Sequence, residues 1–100
     1  MELLRPLNDA GFATQSVAYT GTAGSVTGWN AGPQGVVVWS DQACYVEVGE
    51  GAVATTASTP IPPFTPIPFA VPITTSGVWR VSAIRVSNDG VIYCKPINKE

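Results

Sequence analysis

Apolar and polar positions along this chain alternate in short windows and nowhere recur over a long stretch with the period of a helix. The plainest window is Cys44-Tyr45-Val46-Glu47-Val48, where Cys44, Val46 and Val48 fall on one face and Tyr45 and Glu47 on the other, the pattern of a half-buried strand. Val36 to Ser40 reads as the strand before it, and Asp41-Gln42 predicts a hairpin between the two, although its turn lacks a glycine. Further on, Val78 to Ser87 is a long strand whose alternation slips at Ser82 and Ala83. A bulge there would turn Ile84 and Val86 inward after Trp79 and Val81. Asn88-Asp89-Gly90 carries the residues that tolerate the positive φ of a tight hairpin, which would tie that strand to Val91–Lys95. Pro96, without an N–H, would end the ladder.

The first third is built of smaller residues. Gln15–Thr20 and Ser25–Trp29 predict two short strands joined by a glycine-rich turn, and Asn30 to Gly35 reads as a loop. Trp29 stands at the entrance of that loop, either as a lid on the core or as an exposed platform for ligand stacking, with Tyr19 and Tyr45 as further stacking candidates. At the N-terminus, Leu3, Leu4 and Leu7 surround Arg5 and Pro6 in an arm over residues 1–11. That arm could latch onto a neighbouring subunit, or fold back as a strand on its own core.

Between the strand-rich halves runs a segment of another kind. Six of the nine prolines lie from Pro60 to Pro72, interleaved with Ile61, Phe64, Ile67 and Phe69. Such a stretch can be neither helix nor central strand, yet it is too apolar for a solvated linker. It predicts a stiff extended crossover, residues 59–72, that closes a sandwich and offers apolar side chains outward. The alternative is that these side chains complete the protein's own sandwich while the prolines blunt an edge. Ala52 to Ser58, leading into it, is almost devoid of bulk and suits either close packing against another chain or a flexible loop. Turn signals recur about every ten residues, and the whole reads as one all-β domain, a small antiparallel β-sandwich or a jelly-roll-like barrel.

Composition narrows the function. A hundred residues suffice for one domain that buries roughly two-thirds of its unfolded surface. Charged residues make up only 12% of the chain, about half the usual share, so Thr, Ser, Gly, Pro and Ala must form much of the surface, and such a surface favours association. The five Lys and Arg are scattered and the net charge is −2, which argues against nucleic-acid binding. No apolar run approaches the roughly 18 residues a membrane span needs, nor does a secretion signal open the chain. Cys44 and Cys94 are therefore expected as free buried thiols rather than a disulfide.

Catalytic equipment is sparse. The chain has no histidine, which removes the commonest general base and metal ligand. Two cysteines alone do not make a zinc site, and Glu47 with Glu50 reads as solvated charge rather than a glycosidase pair. The expectation is a protein that is not an enzyme and carries no metal or cofactor.

Three stretches add a resemblance: Cys-Tyr-Val-Glu-Val-Gly at 44–49, Ala-Thr-Thr-Ala-Ser-Thr-Pro-Ile-Pro at 54–62, and Trp-Arg-Val-Ser-Ala-Ile-Arg-Val-Ser-Asn-Asp-Gly-Val-Ile-Tyr at 79–93. Together they resemble small virion proteins of tailed bacteriophages, of the capsid decoration or cement type. The resemblance implies a β-sandwich that assembles in the host cytoplasm and ends on the virion surface. Its partners would be the major capsid protein and sister subunits, in a homotrimer or other symmetric oligomer. Leu3, Leu4, Leu7, Ile61, Phe64, Ile67 and Phe69 are the candidate partner contacts. Two other roles stay open: a carbohydrate- or host-binding module on a virion fibre or head, and a head-to-tail connector subunit.

Overall fold

The short alternating windows assemble into two antiparallel sheets packed face to face. A computed structural model describes residues 4–6, 9–30, 32–71 and 77–99. In chain order the strands are β1 (Leu4–Pro6), β2 (Gln15–Tyr19), β3 (Gly24–Ser25), β4 (Trp29–Asn30) and β5 (Gly35–Ser40), with a single helical turn α1 (Asp9–Phe12) after the first. They continue as β6 (Cys44–Gly49), β7 (Thr59–Ile61), β8 (Ile67–Ala70), β9 (Val78–Arg85) and β10 (Gly90–Lys99). The first sheet runs β1-β10-β5-β8, with β2 also on β10; the second runs β3-β9-β6-β7, with β4 also on β9. The two share one plan, in which a long strand and a six-residue strand form the middle, two short strands share one edge, and a proline strand forms the other. This is a small all-β sandwich, as the alternation predicts.

Alternation decides which side chains meet between the sheets. Val36 and Val38 of β5 and Ile92 and Cys94 of β10 face Cys44 and Val46 of β6 and Trp79, Val81 and Ala83 of β9, all of them buried. Each buried Val or Ile contributes roughly 1.5–3 kcal/mol, so this layer dominates stability. Trp29 packs on Trp79 with ring centroids 4.9 Å apart, and both indole N–H groups find carbonyls, Trp29 Nε1 donating to Ala13 and Trp79 Nε1 to Asn30. Gly28 sets up that contact: its φ is +102°, and a Cβ there would lie 2.4 Å from the Trp79 carbonyl oxygen.

Both expected hairpins are instead corners of the sandwich. β5 pairs with β10 and β8, while β6 pairs with β7 and β9, so residues 41–43 carry the chain from one sheet to the other. Residues 86–89 do the same between β9 and β10. A period of two is identical whether the next strand lies beside the first or across the core, and tertiary bonds make the choice. At the first corner the Tyr19 hydroxyl donates to the Gln42 carbonyl at 2.9 Å and meets Ser40 Oγ at 2.5 Å, while Val91 N–H donates to Asp41 Oδ1 at 2.9 Å. Gly90 is needed there for close approach rather than for a positive φ, since a Cβ would fall 2.6 Å from both Tyr19 Oη and Asp41 Oδ1.

Three further expectations change. β9 keeps an unbroken register with β6 from Arg80 to Arg85, so no bulge forms; Ile84 faces outward and Val86 is 47% exposed. Ser82 breaks the apolar pattern because its outer face is covered: Ala54 N–H donates to Ser82 Oγ, which donates to the Gly24 carbonyl, and Arg80 Nε donates to the Ala52 carbonyl. The small-residue stretch is thus a strap on its own sheet, with Ala52 and Ala54 buried. The ladder also runs through Pro96 to Lys99, because Pro96 lies where β2 has ended at Cys94 and β1 begins at Ile97, a gap in which a missing N–H costs little.

Candidate functional site

The outward phase of the first sheet carries what the core does not use. On β5 this phase holds Val37 and Trp39, and the register sets them directly opposite Lys95 and Tyr93 of β10. The Trp39 and Tyr93 rings stack with centroids 4.6 Å apart and planes 19° apart, a cross-strand aromatic pair standing up from the sheet.

Phe64 extends this pair. It follows Pro62 and Pro63 and precedes Thr65 and Pro66 in the crossover from β7 to β8, and its ring lies 6.4 Å from Trp39. It is 69% exposed, the most open of the large apolar side chains described. Its backbone sits at φ +56°, the left-handed region, which costs a non-glycine residue on the order of 1–2 kcal/mol. The conformation is held by the Phe64 N–H, which donates to the Ser40 carbonyl at 2.7 Å, and by Thr65 Oγ1 donating to the Pro63 carbonyl at 3.2 Å. Three prolines and two hydrogen bonds therefore fix an exposed phenyl ring in a strained pose. Beyond Trp39, a cleft of about 120 Å³ opens between Thr14, Val37, Trp39, Tyr93, Cys94 and Lys95.

The belt residues proposed from sequence as partner contacts divide. Only Phe64 points to solvent. Ile61 is 2% exposed in the core, so it offers no surface, and Ile67 and Phe69, opposite Val38 and Val36, pack half-buried against that core. The outward positions of the two proline strands belong to Pro60 and Pro68, which blunt both edges. Leu3 and Leu7 lie outside the described residues; Leu4 opens β1, which pairs with β10 of its own sheet. Trp29 is 4% exposed and covered by Trp79, and Tyr19 is buried, so neither can stack on a ligand. Trp39 and Tyr93 are the residues that sequence reasoning passed over. A signal for them exists: each lies out of phase with buried neighbours, Trp39 with Val36 and Val38, Tyr93 with Ile92 and Cys94.

The remaining reactive groups are buried and held neutral. Burial pushes the Cys94 thiol up to about 12 and raises the Cys44 thiol, against hydrogen bonds from Tyr19 and Ser40. Burial likewise pushes the Tyr19 phenol up to about 12, against its bond to Ser40. Both cysteines are free, and a protonated thiol is a poor nucleophile and metal ligand. Among the described residues no three Cys, Asp or Glu side chains gather as a metal site would require. What the arrangement offers is a surface for contact: a fixed ring, a stacked aromatic pair and a small cleft on one face. No family model, curated protein or solved structure matches the chain.

Proposed function

We propose that this chain is a non-catalytic assembly protein, and in particular a decoration or cement subunit that binds and stabilises a viral capsid shell. The observation that carries the assembly reading is Phe64, an exposed ring on a backbone held at φ +56° by a proline-rich loop, beside a half-buried aromatic pair; the capsid shell as the thing assembled on comes from the resemblance of the sequence to capsid decoration proteins. Left-handed backbone at a bulky exposed residue persists only where the surroundings enforce it, and such strain gathers at contact sites. The flanking prolines lower the entropy lost when the loop docks. A charge-poor sandwich with blunted edges suits a subunit that must join a shell without polymerising through its strands.

The sugar-binding alternative is weaker on this geometry. A sugar needs an open ring face, whereas Trp39 and Tyr93 each give one face to the other, Trp29 is covered, and Tyr45 lies half-buried between Pro60 and Ile84 of the neighbouring strands. The test is to count this chain in purified particles that carry it and to heat those particles with and without it. Many copies spread over the shell and a lower rupture temperature in their absence are expected. Equal rupture temperatures, or a few copies at one vertex, would overturn the proposal.

A further inference from the structure

The exposed face holds both a projection and a recess. Phe64 stands at the Ser40 end of β5; the cleft lies on the other side of the Trp39–Tyr93 pair, between Trp39, Tyr93, Val37 and Lys95. Their sizes correspond, because an apolar cavity of about 150 Å³ admits a benzene ring, and this cleft of about 120 Å³ is open on one side. Charge runs the same way along the face. Asp41, half-buried with its Oδ1 accepting from the Val91 N–H, follows Ser40 at the end of the projection, whereas Lys95 lines the recess, whose other lining residues carry no acid. A two-fold axis lying in the plane of this face near Trp39 would bring each Phe64 to the other copy's cleft and each acidic end over the other copy's basic end. A knob and a hole on one surface, with opposite charges at their two ends, describe a self-complementary patch.

We infer that the partner of this face is a second copy of the chain, in a two-fold dimer in which each Phe64 ring enters the other copy's cleft between Trp39, Tyr93, Val37 and Lys95. The inference rests on the reading of this face as an assembly surface and names what covers it; a shell would then be engaged by other surfaces of the dimer. The wide exposure of Phe64 is thus confined to the separated subunit.

Sedimentation equilibrium of the full chain tests it, with circular dichroism to verify that each variant is folded. The wild type is expected to be a dimer. Phe64→Asn removes the knob, and Thr14→Trp, at an exposed lining position, fills the hole. Each alone should weaken dimerisation at least about tenfold per ring lost, or about a hundredfold for the two symmetric contacts. Mixed, the two variants restore one intact contact, the Thr14→Trp knob in the Phe64→Asn hole, and should form a heterodimer tighter than either homodimer. Lys95→Glu should weaken the dimer further as salt is lowered. A wild type that stays monomeric at about 0.1 mM, a dimer indifferent to Phe64→Asn, or a mixture no tighter than its parts would overturn the inference. Particle binding is scored separately: a monomer that still binds shells refutes the dimer and leaves the assembly reading intact, and a dimer that ignores shells does the reverse.

Discussion

The two sheets present opposite outer faces. Over the second sheet the chain lays its own backbone, with Ala52 and Ala54 buried against β9 and Ser82 bonded on both sides of its hydroxyl. Over the first sheet the stacked Trp39 and Tyr93 stay half-buried, with Phe64 projecting beside Trp39 and Thr14 at the edge of the cleft next to them. Side-chain size separates the two cases. The strap approaches β9 at a small outward residue, Ser82, which satisfies its N–H, and is held at Ala52 by the flexible Arg80 side chain. Two large rings standing on the sheet hold backbone off and satisfy one another instead. The fold therefore straps one face with its own backbone and caps the other only with side chains.

The largest effect expected from this contrast lies between two tryptophans on comparable strands. Trp79 faces inward, fully buried, and Trp79→Ala should cost about 3–5 kcal/mol, a large part of the margin of a 100-residue domain. Trp39 faces outward and is half-buried beside Tyr93 and Phe64, and Trp39→Ala should cost the subunit about 1–2 kcal/mol, the scale of one cross-strand pair plus partial burial. Urea unfolding of each variant, under conditions where the subunits are separated, measures both. Similar losses would mean that the outer face of the first sheet is part of the folding core after all.

These two tryptophans also show where the sequence is legible. Alternation around Val46 and Ile92 is enough to locate the middle strands and the residues between the sheets, because burial on one face imposes a period of two. It cannot tell that Asp41-Gln42 and Asn88-Asp89-Gly90 are corners, since that depends on contacts such as Tyr19 with Ser40 and Gln42, which lie 21 and 23 residues apart. Small residues are quieter still. Ala52 and Ala54 carry no sign of being covered, and Ser82 looks like a slip in a strand until the strap above it is seen. Of the site, Phe64 was visible from its prolines, but its proline-belt companions Ile61, Ile67 and Phe69 were not separable from it, because a crossover between two edges exposes or buries each residue according to its sheet.

An intermediate effect tests the covered face. Ser82→Ala removes the acceptor of Ala54 N–H and the donor to the Gly24 carbonyl, leaving two groups unsatisfied under the strap. A loss of about 1–3 kcal/mol is expected. Amide exchange carries the sharper signature: protection should fall at Ala54 and persist along β5 and β10. If Ala54 exchanges no faster in the variant, the strap is held by something other than Ser82, and the contrast between the faces loses its stated cause.

The smallest expected effect is the most discriminating, because its sign separates folding from assembly. In the isolated subunit Phe64 stabilises little: its ring is mostly in solvent and meets Trp39 at 6.4 Å, a contact worth at most about 0.5–1.5 kcal/mol. Against that stands its left-handed backbone, which disfavours a phenylalanine by about 1–2 kcal/mol and an asparagine by much less. Phe64→Asn, which keeps the N–H bond to the Ser40 carbonyl, should thus leave the subunit unchanged or raise its stability by up to about 1 kcal/mol in urea unfolding. A residue kept for folding would behave oppositely. If the variant instead loses more than about 1 kcal/mol, Phe64 belongs to the fold, and the outer face of the first sheet owes its ring to the protein's own packing rather than to a partner.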